Sequence, residues 1–410
     1  MFYDIGIFLY ATAVHIAALF NGKPRRMIKG HWAVYKLLRI QIEKDARYIW
    51  FHAASLGEFE QGRPLMEAIR IRHPEYKIIL TFFSPSGHEV RKNYKGADVI
   101  CYLPFDTIRN VKKFLNRVHP CMAFFIKYEF WRNYLDELNK RHIPTYSVAS
   151  IFRKDQIFFK WYGGKYRNVL KNFNYLFVQN EISRKYLAQL GITRTLVIGD
   201  TRFDRVLQIK EEAQQLPLVE KFNEQTATLV AGSSWEPDED LIIEYFNTHP
   251  KIKLILAPHV VDEHHLMEII SKLKRPYVCY TRADEESVRE ADCLLIDCYG
   301  FLSSIYRYGE VAYIGGGFGV SIHNTLEAAV YGMPVLFGPK YQKFREAVEL
   351  VEAEGGYSIN NYDELHTLLD RLFSDNRFLK NTGTNAGNYV TKNSGATNKI
   401  LDRINFQRVI

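Results

Sequence analysis

Residues 227–259, ATLVAGSSWEPDEDLIIEYFNTHPKIKLILAPH, decide the fold. Two short apolar runs, ATLVAGSS (227–234) and IKLILAPH (252–259), flank a helical stretch. Strands apolar on nearly every residue, joined through a helix, are the mark of parallel sheet covered on both faces. Downstream the same rhythm continues through YVCYT (277–281), CLLID (293–297), VAYIGGG (311–317), PVLFGP (334–339) and GYSI (356–359). Upstream it has already run once, through RYIWFHAAS (47–55), YKIILTFFS (76–84), DVICYLPF (98–105), CMAFFIKYE (121–129), PTYSVAS (144–150), YLFVQN (175–180) and TLVIGD (195–200). Helices are predicted between them, for example over 60–72, 108–118 and 181–190. The polar stretch 209–226 reads as a terminal helix plus linker. The doubled pattern predicts an α/β protein of two doubly wound, Rossmann-like domains facing a cleft, with no short repeat.

The chain has 410 residues, enough for two such domains, and its 47% hydrophobic and 24% charged residues exclude a disordered protein. A formal net charge of +8 favours an anionic partner such as lipid headgroups or a phosphorylated substrate. Without a long Lys/Arg tract or a nucleic-acid motif, nucleic acid is not the expected partner. The five cysteines form no CxxC pair and lie largely in apolar runs, as buried thiols of a reducing compartment do. Residues 5–20, IGIFLYATAVHIAALF, are a mostly apolar run followed by Lys23, Arg25, Arg26 and Lys29. A secretory signal has its positive charge first; here the order is reversed, which leaves the bulk of the protein in the cytoplasm. The segment fits a membrane anchor or an amphipathic or buried helix, and either brings the chain to anionic lipid.

In open α/β sheets ligands bind beyond the carboxyl ends of strands, so the residues there are the candidates for chemistry. After RYIWFHAAS come Leu56, Gly57 and Glu58, a carboxylate at a strand-to-helix turn. Partial desolvation there raises a carboxylate's pKa and makes it a useful base, while a plain helix-dipole role fits equally well. Strand VAYI runs into Gly315, Gly316, Gly317 and Gly319, with a helix predicted near Asn324, Thr325, Leu326 and Glu327. Glycines admit a phosphate close to the backbone, and a helix N-terminus stabilises an anion. These glycines lie at the fifth strand of their domain, not the first, which argues against a dehydrogenase fingerprint. Arg202 follows TLVIGD, available to neutralise a phosphate. Ser233 and Ser234 precede a helix. His259, Glu263, His264 and His265 crowd together without metal-site spacing, so a phosphate contact at His259 is expected and a metal is not.

Taken in order, HAASLGEFEQGRPL (52–65), IKYEFWRNYL (126–135), VQNE (178–181), GDTRFD (199–204), SSWEPDE (233–239), DCYGFL (297–302), GGGFGVSIHNTLEAA (315–329) and GMPVLFGP (332–339) resemble the Kdo transferases of glycosyltransferase family 30. These enzymes move 3-deoxy-D-manno-octulosonic acid (Kdo) from CMP-Kdo onto lipid A precursors. The resemblance covers nearly the whole chain and implies a GT-B architecture. It also implies inverting transfer without a metal or other cofactor, at the cytoplasmic face of the inner membrane. The implied organisation is an anchor over 1–22, an acceptor domain over 23–208, a linker over 209–226, a nucleotide-sugar domain over 227–390, and a closing helix over 391–410 that crosses back to the first domain. By position, Glu58 is implied as the general base and Arg202, where the family has lysine, as the charge facing the leaving phosphate. Ser55, Gly57, Lys127 and Glu129 fall on the acceptor side. Ser233, Ser234, His259, Gly300, Phe301, Leu302, Gly316, Gly317, Asn324, Thr325, Leu326 and Glu327 fall at nucleotide-binding positions.

The chain departs from the family pattern at Lys127, where an acidic residue is usual, at Phe301, where a glutamate is usual, and at Pro258–His259–Val260, which lacks an arginine. Two other readings are distinguishable. A GT-B transferase or epimerase acting on a UDP-sugar would be separated by a donor screen. A non-catalytic, membrane-bound nucleotide-sugar sensor would bind CMP without turnover.

Overall fold

The computed structural model describes residues 2–224, 226–319 and 321–406. Met1, Gln225, Val320 and 407–410, which belong to the expected anchor, linker, glycine turn and closing helix, lie outside the described residues. The chain divides into two compact units, one of Met1–Arg205 with Ser394–Ile410 and one of Val206–Asn393.

Every strand named above is present. The first unit holds β1 (Tyr48–Ala53), β2 (Lys77–Phe82), β3 (Val99–Tyr102), β4 (Pro120–Ile126), β5 (Thr145–Ser150), β6 (Tyr175–Val178) and β7 (Thr195–Val197). They form one parallel sheet in the order β3-β2-β1-β4-β5-β6-β7. The near-continuous apolar character follows from burial on both faces. Tyr48 and Trp50 point into one core with Ala123 and Phe125, while Ile49, Phe51 and Ala53 point into the other with Met122 and Phe124. The second unit holds β8 (Thr228–Ser234), β9 (Lys253–Pro258), β10 (Tyr277–Cys279), β11 (Cys293–Leu295), β12 (Val311–Ile314), β13 (Val335–Phe337) and β14 (Gly356–Ser358). Its parallel order is β10-β11-β9-β8-β12-β13-β14. In the first sheet the chain works outward from β1 to β3 and then returns to the other side of β1. In the second it runs from β8 to β9, on to the edge strand β10 and back to β11 between them, before crossing to the other side of β8. The points of reversal are β1/β4 and β8/β12, where such folds open a crevice.

The stretch expected as a terminal helix plus linker carries the end of the helix Thr201–Glu211 and then a further helix, Pro217–Asn223, with Leu216, Val219 and Phe222 buried. The closing helix Ala396–Arg403 belongs to the first unit, where Ala396, Ile400 and Leu401 join the core beside Phe59 and Leu65. Asp204 caps it, its carboxylate accepting from the Gly395 and Thr397 amides at 2.5 and 2.6 Å.

The N-terminal apolar run forms helix α1 (Phe2–Phe20), long and apolar enough to cross a membrane by length and composition. Asn21 then breaks the chain and caps α2 (Gly22–Gln41), its side chain accepting from the Lys23 amide. Along α1, Ala11, Val14 and Ala18 pack against Met27, Ile28 and Phe105, while Ile5, Phe8, Leu9, Ile16, Leu19 and Phe20 form an exposed apolar stripe. Its first turn is held as well. The Tyr3 hydroxyl donates to Asp106 at 2.5 Å, and the Asn133 amide to Asp4 at 3.1 Å. With both ends and one face on the first unit, α1 lies along its surface.

Beneath α1, His31 of α2 is 6% exposed and stacks on Phe105 at 4.5 Å. Neither ring nitrogen has a hydrogen-bond partner among the described residues. Burial, aided by the neighbouring His15, lowers its pKa from 6.5 to about 4. Below pH 6.5 the unfolded chain takes a proton that the folded chain refuses, so stability falls as pH drops from 6.5 towards 4. The expected loss at this site between pH 7 and 5 is about 2 kcal/mol. His31→Phe is expected to remove that component, read as a shallower pH dependence of the urea midpoint; an unchanged slope would show that His31 titrates normally.

Candidate active site

At the β1/β4 crevice, β1 delivers Ser55 and Glu58 and β4 delivers Lys127 and Glu129. Ser55 is the N-cap of α3 (Leu56–Arg72) with an extended backbone, and its hydroxyl donates to the Glu58 carboxylate rather than to a helix amide. Glu58, in the first turn of α3, is half-buried. Gly57 is exposed, and a Cβ there would meet only the Ser55 hydroxyl, at 3.9 Å.

Immediately after β4 the backbone turns sharply, with Lys127 in the left-handed region at φ 60°. That conformation costs a non-glycine residue roughly 1–3 kcal/mol and persists only where neighbours hold it. Here the Lys127 amide donates to Val148 at 2.8 Å, and its carbonyl accepts from the Ser150 hydroxyl at 2.7 Å. The turn brings Glu129 back over β1. Its carboxylate accepts from the Trp131 indole N–H at 2.6 Å and lies 3.3 Å from Nε2 of the fully buried His52. The same indole N–H reaches His52 Nε2 at 3.1 Å. On its other side the ring turns Nδ1 to the Thr81 carbonyl and hydroxyl, at 3.1 and 2.9 Å. Thr81 Oγ1 in turn accepts from Trp50 at 2.8 Å. Glu129 is therefore locked into a chain of partners, whereas Glu58 carries one short-range hydroxyl contact.

Tyr128, between them in sequence, is over a third exposed. Burial of the remainder raises its phenol pKa; Arg153 opposes, and the carboxylates of Asp200 and Glu58 add to the rise. Arg202 is not the open cation expected. Its Nε and Nη2 donate to Asp200 Oδ2 at 2.9 and 2.8 Å, and its amide donates to Oδ1 at 2.9 Å. The carboxylate two residues earlier is the nearest counter-charge for the guanidinium fork. The Gln61 amide also donates to Asp200, at 3.2 Å, which ties this pair to α3.

In the second unit, the carboxyl ends of β8, β9 and β12 bring Ser233, Ser234, His259 and the glycine turn together. Ser233 is left-handed at φ 53°, and the Ser234 hydroxyl donates to the buried Glu239 at 2.9 Å. Burial raises the Glu239 pKa against the opposing pull of His265, 3.1 Å away, and of Ser234. Trp235 stacks on His259 at 4.6 Å, and His259 stacks on His323 at 4.5 Å. Burial, and His259 beside it, lower the His323 pKa. The cluster is an aromatic floor with a neutral imidazole, suited to a base or sugar ring. Gly300 is left-handed at φ 103°, and Phe301 leads into a short helix Leu302–Ile305. Leu302 packs where a Cβ on Gly232 would stand, 2.8 Å from its Cδ1.

Two expectations change in physical detail here. Gly316 and Gly317, with Gly315, are needed for the close approach of chain to chain, whatever they do towards a ligand. A Cβ on Gly315 would stand 2.2 Å from the Ser233 carbonyl, on Gly316 2.3 Å from the Ser321 carbonyl, and on Gly317 2.5 Å from the Gly338 amide. Asp238 fastens the same turn, accepting from the Gly316 amide and the Tyr313 hydroxyl at 2.8 Å each and from the Trp235 amide at 3.0 Å. The helix expected from Asn324 spans only Leu326–Ala329, too short for a substantial dipole. The Asn324 amide donates to Glu327 at 3.0 Å, and Thr325 is buried with no partner for its hydroxyl among the described residues. Of the histidine group weighed for a metal, His264 is 85% exposed and faces Glu268, His265 pairs with Glu239, and His259 stacks, so the three do not converge.

His52, Trp131, Asp200, Trp235, Glu239 and His323 were not singled out by sequence as site residues. All six lie inside a segment quoted for its order, and that is the signal that would have found them.

Residues 29–205 match the family described as 3-deoxy-D-manno-octulosonic-acid transferase (kdotransferase). The chain is 27% identical over 341 residues to a 3-deoxy-D-manno-octulosonic acid transferase of Aquifex aeolicus (strain VF5), covering 81% of this chain and 88% of that protein. It is 26% identical over 409 residues to the transferase of the same description from Rickettsia bellii (strain RML369-C), covering 96% and 94%. Among solved structures, UDP-GlcNAc 2-epimerase from Neisseria meningitidis bound to UDP-GlcNAc superposes with a TM-score of 0.61 at 12% identity, covering 87% of this chain and 98% of that one. At that identity the likeness speaks to the GT-B fold alone.

Proposed function

We propose that the chain is a glycosyltransferase of lipopolysaccharide biosynthesis that transfers Kdo from CMP-Kdo to a lipid A precursor, with inversion, without a metal or other cofactor in the reaction, and with Glu58 as base. The match of residues 29–205 to the Kdo transferase family and the 26–27% identity to Kdo transferases over most of the chain support this reading. The observation that carries the mechanism is Glu58 itself, a half-buried carboxylate at the reversal point of the first sheet. The Ser55 hydroxyl orients it, leaving carboxylate lone pairs for an acceptor hydroxyl. In this reading Glu58 removes the acceptor's proton as that oxygen attacks the anomeric carbon of Kdo and the bond to the CMP phosphate breaks. Glu129, already bound by Trp131, is a positioning group. Lys127, where an acidic residue is usual, gives this crevice a positive charge that suits the phosphate of a lipid A precursor.

Donor recognition is assigned to the second unit. Trp235, His259 and His323 offer ring surfaces, and Ser233, Ser234 and the Gly300–Phe301–Leu302 turn line the same ends of the sheet. Asn324, Thr325, Leu326 and Glu327, after the glycine turn, complete the nucleotide side. Arg202, shared with Asp200, supplies attenuated positive charge towards the leaving phosphate. At the cytoplasmic face of the inner membrane, the exposed stripe of α1 would lie in the lipid interface, with exposed Lys23, Arg25, Arg26 and Lys29 drawn to anionic headgroups.

Mass analysis of products from CMP-Kdo and a lipid A precursor tests the reading, with UDP-sugars offered in parallel. The expected result is a Kdo-extended lipid with CMP-Kdo alone. Turnover of a UDP-sugar, or CMP binding with no product, would overturn it.

A further inference from the structure

Far along the chain from these residues, the second unit gathers His249, His366 and Asp370, with one ligand atom from each lying within 4.8 Å of the others. His249 ends the helix Glu236–Thr248, four residues before β9 begins, so it stands at the amino edge of the sheet. His366 and Asp370 are one turn apart on the helix Tyr362–Ser374. His249 Nε2 lies 3.2 Å from Asp370 Oδ1, and His366 Nδ1 lies 3.6 Å from Asp370 Oδ2. The two separations run to different oxygens of the Asp370 carboxylate, and donor atoms that far apart suit an ion with bonds of about 2.1 Å.

The surroundings orient the three groups. His249 Nδ1 donates to the Tyr245 carbonyl at 2.7 Å, which leaves the Nε2 lone pair facing the carboxylate. The Tyr245 hydroxyl donates to Asp370 Oδ1 at 3.0 Å, and the Tyr245 ring, itself buried, stacks on His249 at 3.8 Å. A histidine whose second nitrogen is held by a carbonyl, beside a carboxylate held by a hydroxyl, is the usual outer support of a metal ligand set. A neutral Nε2 and a carboxylate oxygen are both acceptors. At 3.2 Å they need a cation or a proton between them.

We propose that His249, His366 and Asp370 bind a divalent transition ion of borderline softness, Zn2+ foremost, with water in the remaining position. The two imidazoles and one carboxylate favour zinc over magnesium or calcium. The ion would clamp the ends of two helices at the sheet edge opposite the carboxyl ends that serve chemistry. It would act as a structural brace, and no step of transfer runs through it.

The test is Zn2+ titration of full-length protein stripped with a chelator, in competition with a chromophoric chelator, followed by thermal unfolding. One ion per chain is expected, and at a hundredfold excess over Kd the unfolding temperature should rise by roughly 5–10 °C. His366→Ala should weaken binding at least about tenfold and remove the shift; Asp370→Asn, closer in shape, should do the same where the alanine variant folds poorly. His264→Ala, on an exposed histidine elsewhere, should change neither. Absence of saturable binding to the stripped protein would overturn the proposal and leave a protonated His249–Asp370 ion pair. Equal binding by the His366 and Asp370 variants would overturn it as well.

Discussion

Replacing Glu58 by glutamine is expected to reduce Kdo transfer by about two to four orders of magnitude while folding and CMP affinity stay as they are. Glutamine keeps the size and shape of the side chain and can still accept from the Ser55 hydroxyl, so the turn into α3 has no reason to move. What it lacks is a lone pair basic enough to take a proton. The competing account, in which Glu58 only complements the α3 dipole, makes the opposite forecast. It expects a stability loss of about 0.3–1 kcal/mol and unchanged turnover. Single-turnover rates and a urea titration on the same preparation separate the two. Wild-type turnover in the Glu58→Gln protein would remove this carboxylate from the mechanism.

The second large effect is expected from Gly317→Ala. The added methyl would stand 2.5–2.8 Å from three backbone atoms of Gly338, and backbone on both sides leaves no flexible side chain to give way. Ordinary overpacking costs about 1–3 kcal/mol; here about 3 kcal/mol or more is expected, a large part of a domain's usual margin. Gly319→Ala is the control, since its methyl would meet only the Gly316 carbonyl, at 3.5 Å. A phosphate-cradle reading of the turn forecasts loss of CMP binding in both variants with stability intact. Close chain packing forecasts a lowered urea midpoint in Gly317→Ala and none in Gly319→Ala. Equal midpoints in both would reject the packing account.

The contrast shows which features sequence can carry. Strands buried on both faces announce themselves by apolar runs, so each of the runs from RYIWFHAAS to GYSI became a strand where it was expected. The order of strands is set by long-range pairing and was not legible, and with it went the location of the two reversal points. Glu58 and Ser55 could be read because they are neighbours at one strand end. The His52–Glu129–Trp131 chain could not, because it joins residues brought together only when β1 pairs with β4. Arg202 was read as available because a charge in sequence does not show its partner, here Asp200. The glycines were visible as glycines, but a Cβ's absence looks the same whether a phosphate or the Gly338 backbone fills the space.

The capping of Ala396–Arg403 by Asp204 has a consequence for how the protein is made. Residues 206–393 are all synthesised, and emerge, ahead of the segment that completes the first core, with Ala396, Ile400 and Leu401. Until then Phe59 and Leu65 lack part of their cover, and the Asp204 carboxylate lacks the two amides it will hold. The usual amino-to-carboxyl order of domain completion is therefore inverted, and the later-encoded unit is the one able to finish first. Chains released with their end at residue 393 should consequently show the second unit protease-resistant while the first remains open to cleavage.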